Sequence, residues 1–526
     1  MPAPAPSLTW PDYAVLLVSL AILVVIGVAL TGRQHDTSDF FLARRRVPWW
    51  AACLSFLATE ISAVTIISVP ATAYSENWEY VQFFVGSSLA KLAVAFLFIP
   101  AFYRHNVTTI YEFLRDRFGR ATQVTGSLFF FLTRLTGSGA RLTATAIAVS
   151  LLVGWRIETT IVVTVVVSIA YIATGGVSAI VWTNVFQALM FLVAGAITLG
   201  FVVWQVDGGV AAIAQLAEAA GRLRIVDWGP APGTPDFWTR LASDPNIVWV
   251  AVLNGFIGSM AAFGTDHDLM QRLLTVETRQ DSQRTLALTP LATLLTLAIY
   301  LSLGAALFAF YTQHGAPGIA RNDEILPYFV AQTMPAVLRG LMLSAIVLAS
   351  IDSPLGSLSA SFVTDIYRPL LARGRSEDHY LRVSRACVVV FGLVLGVIAW
   401  VFLGWRQQIL WLVFKIAGVP FGSLLGVFLL GLLSRRSVAD AANVVAMVAM
   451  TLINLALLLL SETGRINFPW SWLVIVGTVG TIAISLALSP LFGRRKPRVD
   501  EGGLGKAVER AQRDEGVRGK RYGSPD

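Results

Sequence analysis

The chain contains about thirteen apolar stretches, each long enough to cross a lipid bilayer, which follow one another almost from end to end. The hydrocarbon core of a bilayer is about 30 Å thick, so about 20 apolar residues in a helix span it. Because no water is available there, the backbone must satisfy its hydrogen bonds within each segment, and such stretches become helices. The sequence therefore predicts an all-α polytopic membrane protein.

The predicted spans cover residues 12–32, 50–75, 80–103, 122–154, 157–176, 178–205, 246–270, 285–312, 331–367, 380–403, 407–434, 437–460 and 468–492. Only 14% of the 526 residues are charged, whereas a soluble domain usually has about 25%. The longest polar connection is 207–245, which is too short for a separate soluble catalytic domain.

Basic residues are concentrated in alternate connections between the predicted spans. One set of connections holds Arg44, Arg115, Arg279, Arg373 and Arg435 with their basic neighbours, and the connections between them hold few. Cytoplasmic loops carry the excess of Lys and Arg. We therefore expect an integral protein of the plasma (inner) membrane, with the N-terminus outside and the C-terminus in the cytoplasm. The basic residues behind the net charge of +8 then lie in loops at the cytoplasmic membrane surface. Membrane lipid is therefore an expected partner, and nucleic acid is not.

Two of the spans carry polar residues and glycines in their middle. Residues 58–65 place a carboxylate, Glu60, inside the second span, and residues 254–266 include Gly255 and Gly258 in the seventh. Helices that unwind at mid-membrane in corresponding positions of two halves are typical of transporters with inverted repeats. The alternative for Gly255 and Gly258 is close packing of helices through small residues.

Five motifs stand out along the chain: residues 58–63 followed by Tyr74, residues 175–183, residues 264–266 with Gln271 and Arg272, residues 357–360 leading to 364–367, and residues 426–433. Together they resemble the motifs of the sodium:solute symporters. They occur in the order of the family, and the resemblance covers about residues 12–490. It implies a five-plus-five inverted repeat of the amino-acid-transporter (LeuT-like) type, alternating access, and cation-coupled uptake of a small organic solute.

The resemblance also implies a division of the chain. The expected parts are an N-terminal extra helix and cytoplasmic loop (1–49), a first five-helix repeat (50–206), an extracellular loop (207–245), a second five-helix repeat (246–434), C-terminal helices (435–492) and a disordered cytoplasmic tail (493–526).

By the same resemblance, a sodium ion lies between the first and the eighth core helices. Its expected ligands are the carbonyls of Ala58, Ile61 and Ile346 and the hydroxyl of Ser350. The family usually has a second hydroxyl at the position of Ala349 and an Asp at the position of Asn184.

These two departures leave the coupling ion open at this point. We expect sodium, and the alternatives are proton coupling through Glu60 or Asp352, both of which lie inside predicted spans, or uncoupled exchange. For Asp352, a purely structural carboxylate near the Pro354 kink is an equal alternative.

The solute site is expected at mid-membrane, against the unwound helix. Its candidate residues, carried over mainly by family position, are Glu60, Ser62, Thr65, Phe84, Ser87, Arg141 and Phe414. The low polarity of Thr65, Phe84 and Phe414 argues against a sugar, because unpaired buried hydroxyls are costly.

Two arginines in the fourth span lie seven residues apart, about two helical turns, and so share a face. A guanidinium binds a carboxylate through two parallel hydrogen bonds, and some carriers of the family for acidic solutes use an arginine in this helix. Arg141 is therefore a candidate partner for a solute carboxylate. The alternative is an internal ion pair of Arg141 with Glu60, and Arg134 is expected to be structural.

A membrane-embedded enzyme is a distant alternative function. It would need clustered His, Asp or Ser at one membrane face, and His267 between Asp266 and Asp268 is the nearest approach to such a cluster. The two cysteines, Cys53 and Cys387, indicate neither a disulfide framework nor a metal site. We expect a transporter with no catalytic residues and with sodium as its only cofactor.

Overall fold

The computed structural model describes residues 8–29, 41–235, 237–351, 354–404 and 409–492. Apart from one isolated bridge between Asp227 and Ile247, the regular structure of these residues is helical. The predicted tail 493–526 lies outside the described residues.

The helices are α1 (Trp10–Ala29), α2 (Trp49–Glu60), α3 (Ala63–Ser75), α4 (Tyr80–His105), α5 (Ile110–Arg117), α6 (Arg120–Val153), α7 (Ile157–Gln205), α8 (Gly209–Ala219), α9 (Phe237–Ser243), α10 (Val248–Thr265), α11 (His267–Leu274), α12 (Arg279–His314), α13 (Ile325–Thr333), α14 (Leu338–Ile351), α15 (Leu355–Ser361), α16 (Glu377–Phe402), α17 (Ile409–Leu433), α18 (Asp440–Glu462) and α19 (Leu473–Leu488). A π-helix, Phe362–Leu371, continues α15, and three single 3-10 turns complete the described structure.

Ten helices of the described part are long and apolar enough to cross a membrane, and the bent pair α2 and α3 makes an eleventh span. The two remaining predicted spans, 157–176 and 331–367, do not add to this number, because their apolar helical segments Ile157–Ile169 and Leu338–Ala349 are shorter. The turn expected near residue 177 is wrong, since α7 is one helix of 49 residues. That is about 74 Å of helix, enough length for both predicted spans, 157–176 and 178–205.

The predicted break in the second span is present. Helix α2 ends at Glu60, Ile61 and Ser62 are extended, and α3 starts at Ala63 with a bend of 61°. The hydroxyl of Ser62 and the side chain of Thr65 form a capping box at the start of α3. This box satisfies backbone groups that would otherwise be unpaired at a helix start in lipid.

The second predicted break is wrong for most of its length. Helix α10 runs unbroken to Thr265 and thus includes residues 254–265, which were expected to unwind. The chain leaves the helix only at Asp266, whose carboxylate accepts hydrogen bonds from the backbone N–H groups of Asp268 and Leu269 and caps α11.

Gly255 is explained instead by close packing between α4 and α10. A Cβ atom added at Gly255 would lie 2.1 Å from the carbonyl oxygen of Phe83, and one added at Gly86 would lie 2.0 Å from that of Val252. The two backbones are therefore in direct contact, which only glycine permits at these points. Gly258 has no such neighbour on another helix.

The connection between α7 and α10 is fastened to the start of α4. Gln82 donates a hydrogen bond of 2.8 Å to the carbonyl of Asn246, and Arg224 forms an ion pair of 2.6 Å with Glu79. Burial raises the pKa of Glu79, against the opposing effect of Arg224. These contacts fix one end of α4, the helix that supplies the site below with Phe84 and Ser87.

We expect Gly255→Ala and Gly86→Ala to destabilise the protein, because a methyl group cannot enter either backbone contact without moving a helix. Overpacking of this kind costs about 1–3 kcal/mol. Thermal unfolding of the purified protein in detergent measures the effect. Gly200→Ala is the control, since nothing lies within 4 Å of its Cβ position and Ala favours a helix. Equal melting temperatures for the Gly255 and Gly200 variants would contradict the proposed packing.

Candidate functional site

A cavity of about 210 Å³ opens beside the break between α2 and α3. The seven candidate solute residues come from α2, the break itself, α3, α4, α6 and α17, and all of them line this cavity: Glu60, Ser62, Thr65, Phe84, Ser87, Arg141 and Phe414. The break thus faces a space large enough for a small solute and bordered by both charged and aromatic side chains.

One wall of the cavity is aromatic. Phe414 stacks on Trp470 with ring centroids 5.7 Å apart and also contacts Phe83 at 5.1 Å, and Tyr80 meets Phe84 edge to face at 5.2 Å. The sequence reasoning missed Tyr80, Phe83 and Trp470. The first two share the face of α4 that carries Phe84 and Ser87, so the i, i+3, i+4 spacing indicated them.

Another wall of the cavity is rich in hydroxyl and amide groups. Helix α10 contributes Asn254 and Ser259, helix α12 contributes Thr293 and Thr296, and Ser62 lies in the break. Such groups supply hydrogen bonds to a polar solute without adding formal charge. The two walls together suit a solute with a polar end and an apolar or flat body.

Glu60 at the end of α2 is paired with Lys91 of α4. The Lys91 Nζ atom lies 2.8 Å from Glu60 Oε2 and 2.9 Å from the hydroxyl of Thr293, and it also faces the ring of Phe263 at 5.1 Å. The Lys91 side chain is 1% exposed. No sequence pattern pairs these two residues, because they are on different helices.

The ion pair recorded for Glu60 is with Lys91, whereas the alternative expected Arg141 in this place. Arg141 Nη1 donates a hydrogen bond of 3.3 Å to the carbonyl of Thr59, next to Glu60 in the chain. Arg141 also lines a second, smaller cavity of about 40 Å³ with Ser168, Pro354 and Leu395.

A buried charge network closes the end of the cavity formed by α6, α10 and α11. Arg134 pairs with Asp268 and, at 3.4 Å, with Asp266, and Arg272 pairs with Asp268 at 3.3 Å. All four side chains are nearly or fully buried. This arrangement agrees with the structural role expected for Arg134, because it ties α6 to the junction of α10 and α11.

The nearest approach to a catalytic cluster, His267 with its flanking carboxylates, belongs to this network. His267 is fully buried and contacts the rings of Tyr111 and Phe130. Among the described residues, no group of three or more His, Cys, Asp or Glu side chains is arranged to hold a metal ion.

The expected sodium ligands Ala58, Ile61 and Ile346 are buried members of one apolar cluster. The N–H of Ser62 lies 3.5 Å from Thr65 Oγ1, so in the capping box it turns away from the Ala58 carbonyl that it would meet in a continuous helix. The Ala58 carbonyl is thereby released from helical bonding. Asp352 lies outside the described residues, and so does the side chain of Ser350.

Asn184 of α7 lies against helix α2. Its amide nitrogen donates hydrogen bonds of 3.2 Å to the hydroxyls of both Ser55 and Thr59. The side chain is 1% exposed. Asn184 therefore contacts the last two turns of the broken helix through a neutral group.

The family model described as the sodium:solute symporter family matches residues 40–450. The chain is 29% identical to the sodium/sialic acid symporter NanT of Aliivibrio fischeri, over 91% of this chain and 93% of the relative. It is 28% identical to the sodium/sialic acid symporter SiaT of Proteus mirabilis, over 92% and 96%. The human sodium/iodide cotransporter is 28% identical, over 80% of this chain and 65% of the relative.

A solved structure of a Na⁺-coupled sialic acid symporter, in its substrate-bound outward-open state, has the same fold. It superimposes with a TM-score of 0.79 at 25% identity, covering 93% of this chain and 99% of the other. The predicted LeuT-like fold and the predicted sodium-coupled transport are confirmed, and the enzyme alternative is wrong. The chain belongs to the sodium:solute symporter family and is an integral membrane protein that couples the transport of a small solute to sodium.

Proposed function

We propose that this transporter carries a small organic carboxylate together with sodium, and that the solute binds at the break between α2 and α3 with its carboxylate on Arg141. The observation that carries the proposal is the shared position of Arg141, Glu60 and the aromatic wall on one cavity. Arg141 reaches the break itself through its hydrogen bond to the Thr59 carbonyl. A guanidinium matches the planar geometry of a carboxylate.

The relatives support an acidic solute. Two of them are named for sialic acid, and others at 26–27% identity are named sodium-coupled monocarboxylate transporters. A carboxylate is common to these solutes. The aromatic wall around Phe414 and Trp470 offers a surface for the remainder of such a molecule.

For the coupling ion we propose the carbonyls of Ala58, Ile61 and Ile346 together with the hydroxyl of Ser350. The release of the Ala58 carbonyl from helical bonding supports this set. The carboxylate of Glu60, the alternative coupling group, forms an ion pair with the Lys91 ammonium at 2.8 Å. Asp352 stays a candidate for an accessory coupling carboxylate.

We further propose that the protein lies in the inner membrane, with its N-terminus outside and its C-terminus in the cytoplasm. Residues 50–206 and 246–434 are the two proposed repeats. Lipid is the proposed neighbour of the outer helices. On α16, the side chains of Leu393, Val397 and Val401 are 58%, 62% and 60% exposed, which favours contact with hydrocarbon.

Arg141→Gln is expected to lower the affinity for carboxylate solutes at least tenfold, because a charged hydrogen-bond partner worth about 1.5–3 kcal/mol is lost. Binding is measured as thermal stabilisation of the purified protein in sodium by monocarboxylates, amino acids and polyols. Arg156→Gln is the control, since the Arg156 side chain is 86% exposed. If both variants rank the panel as the wild type does, Arg141 does not bind the solute.

Ser350→Ala is expected to raise the sodium concentration needed for half-maximal uptake several-fold. The variant removes the single side-chain ligand proposed for the ion and leaves only carbonyl oxygens. Uptake is measured in proteoliposomes with an imposed sodium gradient and, separately, with an imposed pH gradient, which alone should give no accumulation. The matched control is Ser344→Ala in the same helix, because the Ser344 hydroxyl is bonded to the Gly340 carbonyl at 2.8 Å. An unchanged sodium dependence in Ser350→Ala would contradict this ligand set.

A further inference from the structure

The two carboxylate oxygens of Glu60 have different surroundings. Oε2 accepts hydrogen bonds from Lys91 at 2.8 Å and from the Thr293 hydroxyl at 3.1 Å. None of the hydrogen bonds recorded among the described residues reaches Oε1, although the side chain lines the cavity and is 11% exposed. Glu60 therefore presents one acceptor oxygen to whatever occupies the cavity.

Lys91 forms an ion pair with Glu60 but does not line the cavity. Its side chain is 1% exposed and does not contribute to the cavity wall. Its ammonium group is occupied by Glu60, Thr293 and the ring of Phe263. Lys91 therefore does not contact a solute in the cavity. It affects solute binding only by balancing the charge of Glu60.

We propose that Lys91 is a built-in counter-ion that makes Glu60 a hydrogen-bond acceptor without net charge, so that the site selects a hydroxy acid over an amino acid. The solute places its carboxylate on Arg141 and a neighbouring hydroxyl on Glu60 Oε1. This inference rests on the proposed function above, because it takes the carboxylate at Arg141 as given.

Arg141 and Glu60 both line the cavity. Arg141 bonds to the carbonyl of Thr59, the residue before Glu60 at the end of α2. A single solute in the cavity therefore meets both side chains. A 2-hydroxy acid carries its hydroxyl on the carbon next to the carboxylate, and the aromatic wall remains available for the rest of the molecule.

An ammonium group at Oε1 is disfavoured by the same geometry. It would share one carboxylate with the Lys91 ammonium, and two cations that close together repel strongly where the dielectric constant is low. A hydroxyl donates to Oε1 without this repulsion. The ion pair thus converts a carboxylate, which by itself attracts cations, into a group that prefers neutral donors.

The test compares three matched ligands on the purified full chain in saturating sodium: lactate, alanine and propionate, with phenyllactate, phenylalanine and 3-phenylpropanoate as a larger set. Binding is followed by tryptophan fluorescence, since Trp470 lines the cavity, and by thermal stabilisation. We expect the wild type to bind the hydroxy acid at least tenfold more tightly than the amino acid and the unsubstituted acid.

Lys91→Met leaves Glu60 without its counter-ion, and we expect the ratio of hydroxy-acid to amino-acid affinity to fall at least tenfold. Glu60→Gln combined with Lys91→Met again gives a neutral acceptor and should restore the preference for the hydroxy acid. Lys91→Arg keeps the charge and should keep the preference. If Lys91→Met does not fold, Lys91→Gln removes the same charge while its amide still donates to Glu60, and the same fall in the affinity ratio is expected.

A purely structural role for Lys91 would change stability, or lower the affinity for all ligands together, while the affinity ratios stayed constant in every variant. That result overturns the inference, as does equal binding of the three matched acids by the wild type, and both leave the carboxylate proposal in place. If no carboxylate binds the wild type in sodium, the proposed function itself fails and the inference fails with it.

Discussion

The break at Ile61 and Ser62 is the feature on which the site depends, because it interrupts helical hydrogen bonding inside a membrane span. An unpaired backbone group in hydrocarbon costs several kcal/mol, so the break requires substitutes for the lost bonds. The capping box of Ser62 and Thr65 supplies some of them. The guanidinium of Arg141 on the Thr59 carbonyl supplies another, and this compensation also brings α6 to the cavity.

Buried ion pairs set the positions of the helices around that break. Glu60 and Lys91 join α2 to α4, Arg134 joins α6 to the junction of α10 and α11, and Asp12 of α1 pairs with Arg339 of α14 at 2.6 Å. Desolvation offsets much of the attraction in such pairs, so they contribute little net stability. Instead, they favour one arrangement of the helices. A helix that shifted and broke one of these pairs would leave a charge unpaired in a medium of low dielectric constant.

The sequence predicted the first break because a carboxylate inside an apolar span needs a special environment. The second break was misplaced because glycines in a membrane helix occur both where the helix unwinds and where helices pack closely. Gly255 packs against Phe83. The helix instead ends at Asp266, whose role as the N-cap of α11 was not predicted. Lys91 was not predicted as the partner of Glu60, since a charged residue in a span indicates that a partner exists but tertiary packing selects it.

The distribution of charge gives a physical reason for coupling in the proposed arrangement. Position 184 carries a neutral amide against α2, and the carboxylate of Glu60 is already balanced by Lys91. Among the described residues, neither group therefore offers net negative charge to an ion held by carbonyls at the break. A solute carboxylate bound on Arg141 beside the same break reduces the positive charge that the ion would otherwise meet there. Sodium and the solute then each raise the affinity for the other, as linkage requires, and neither is expected to occupy the site well alone.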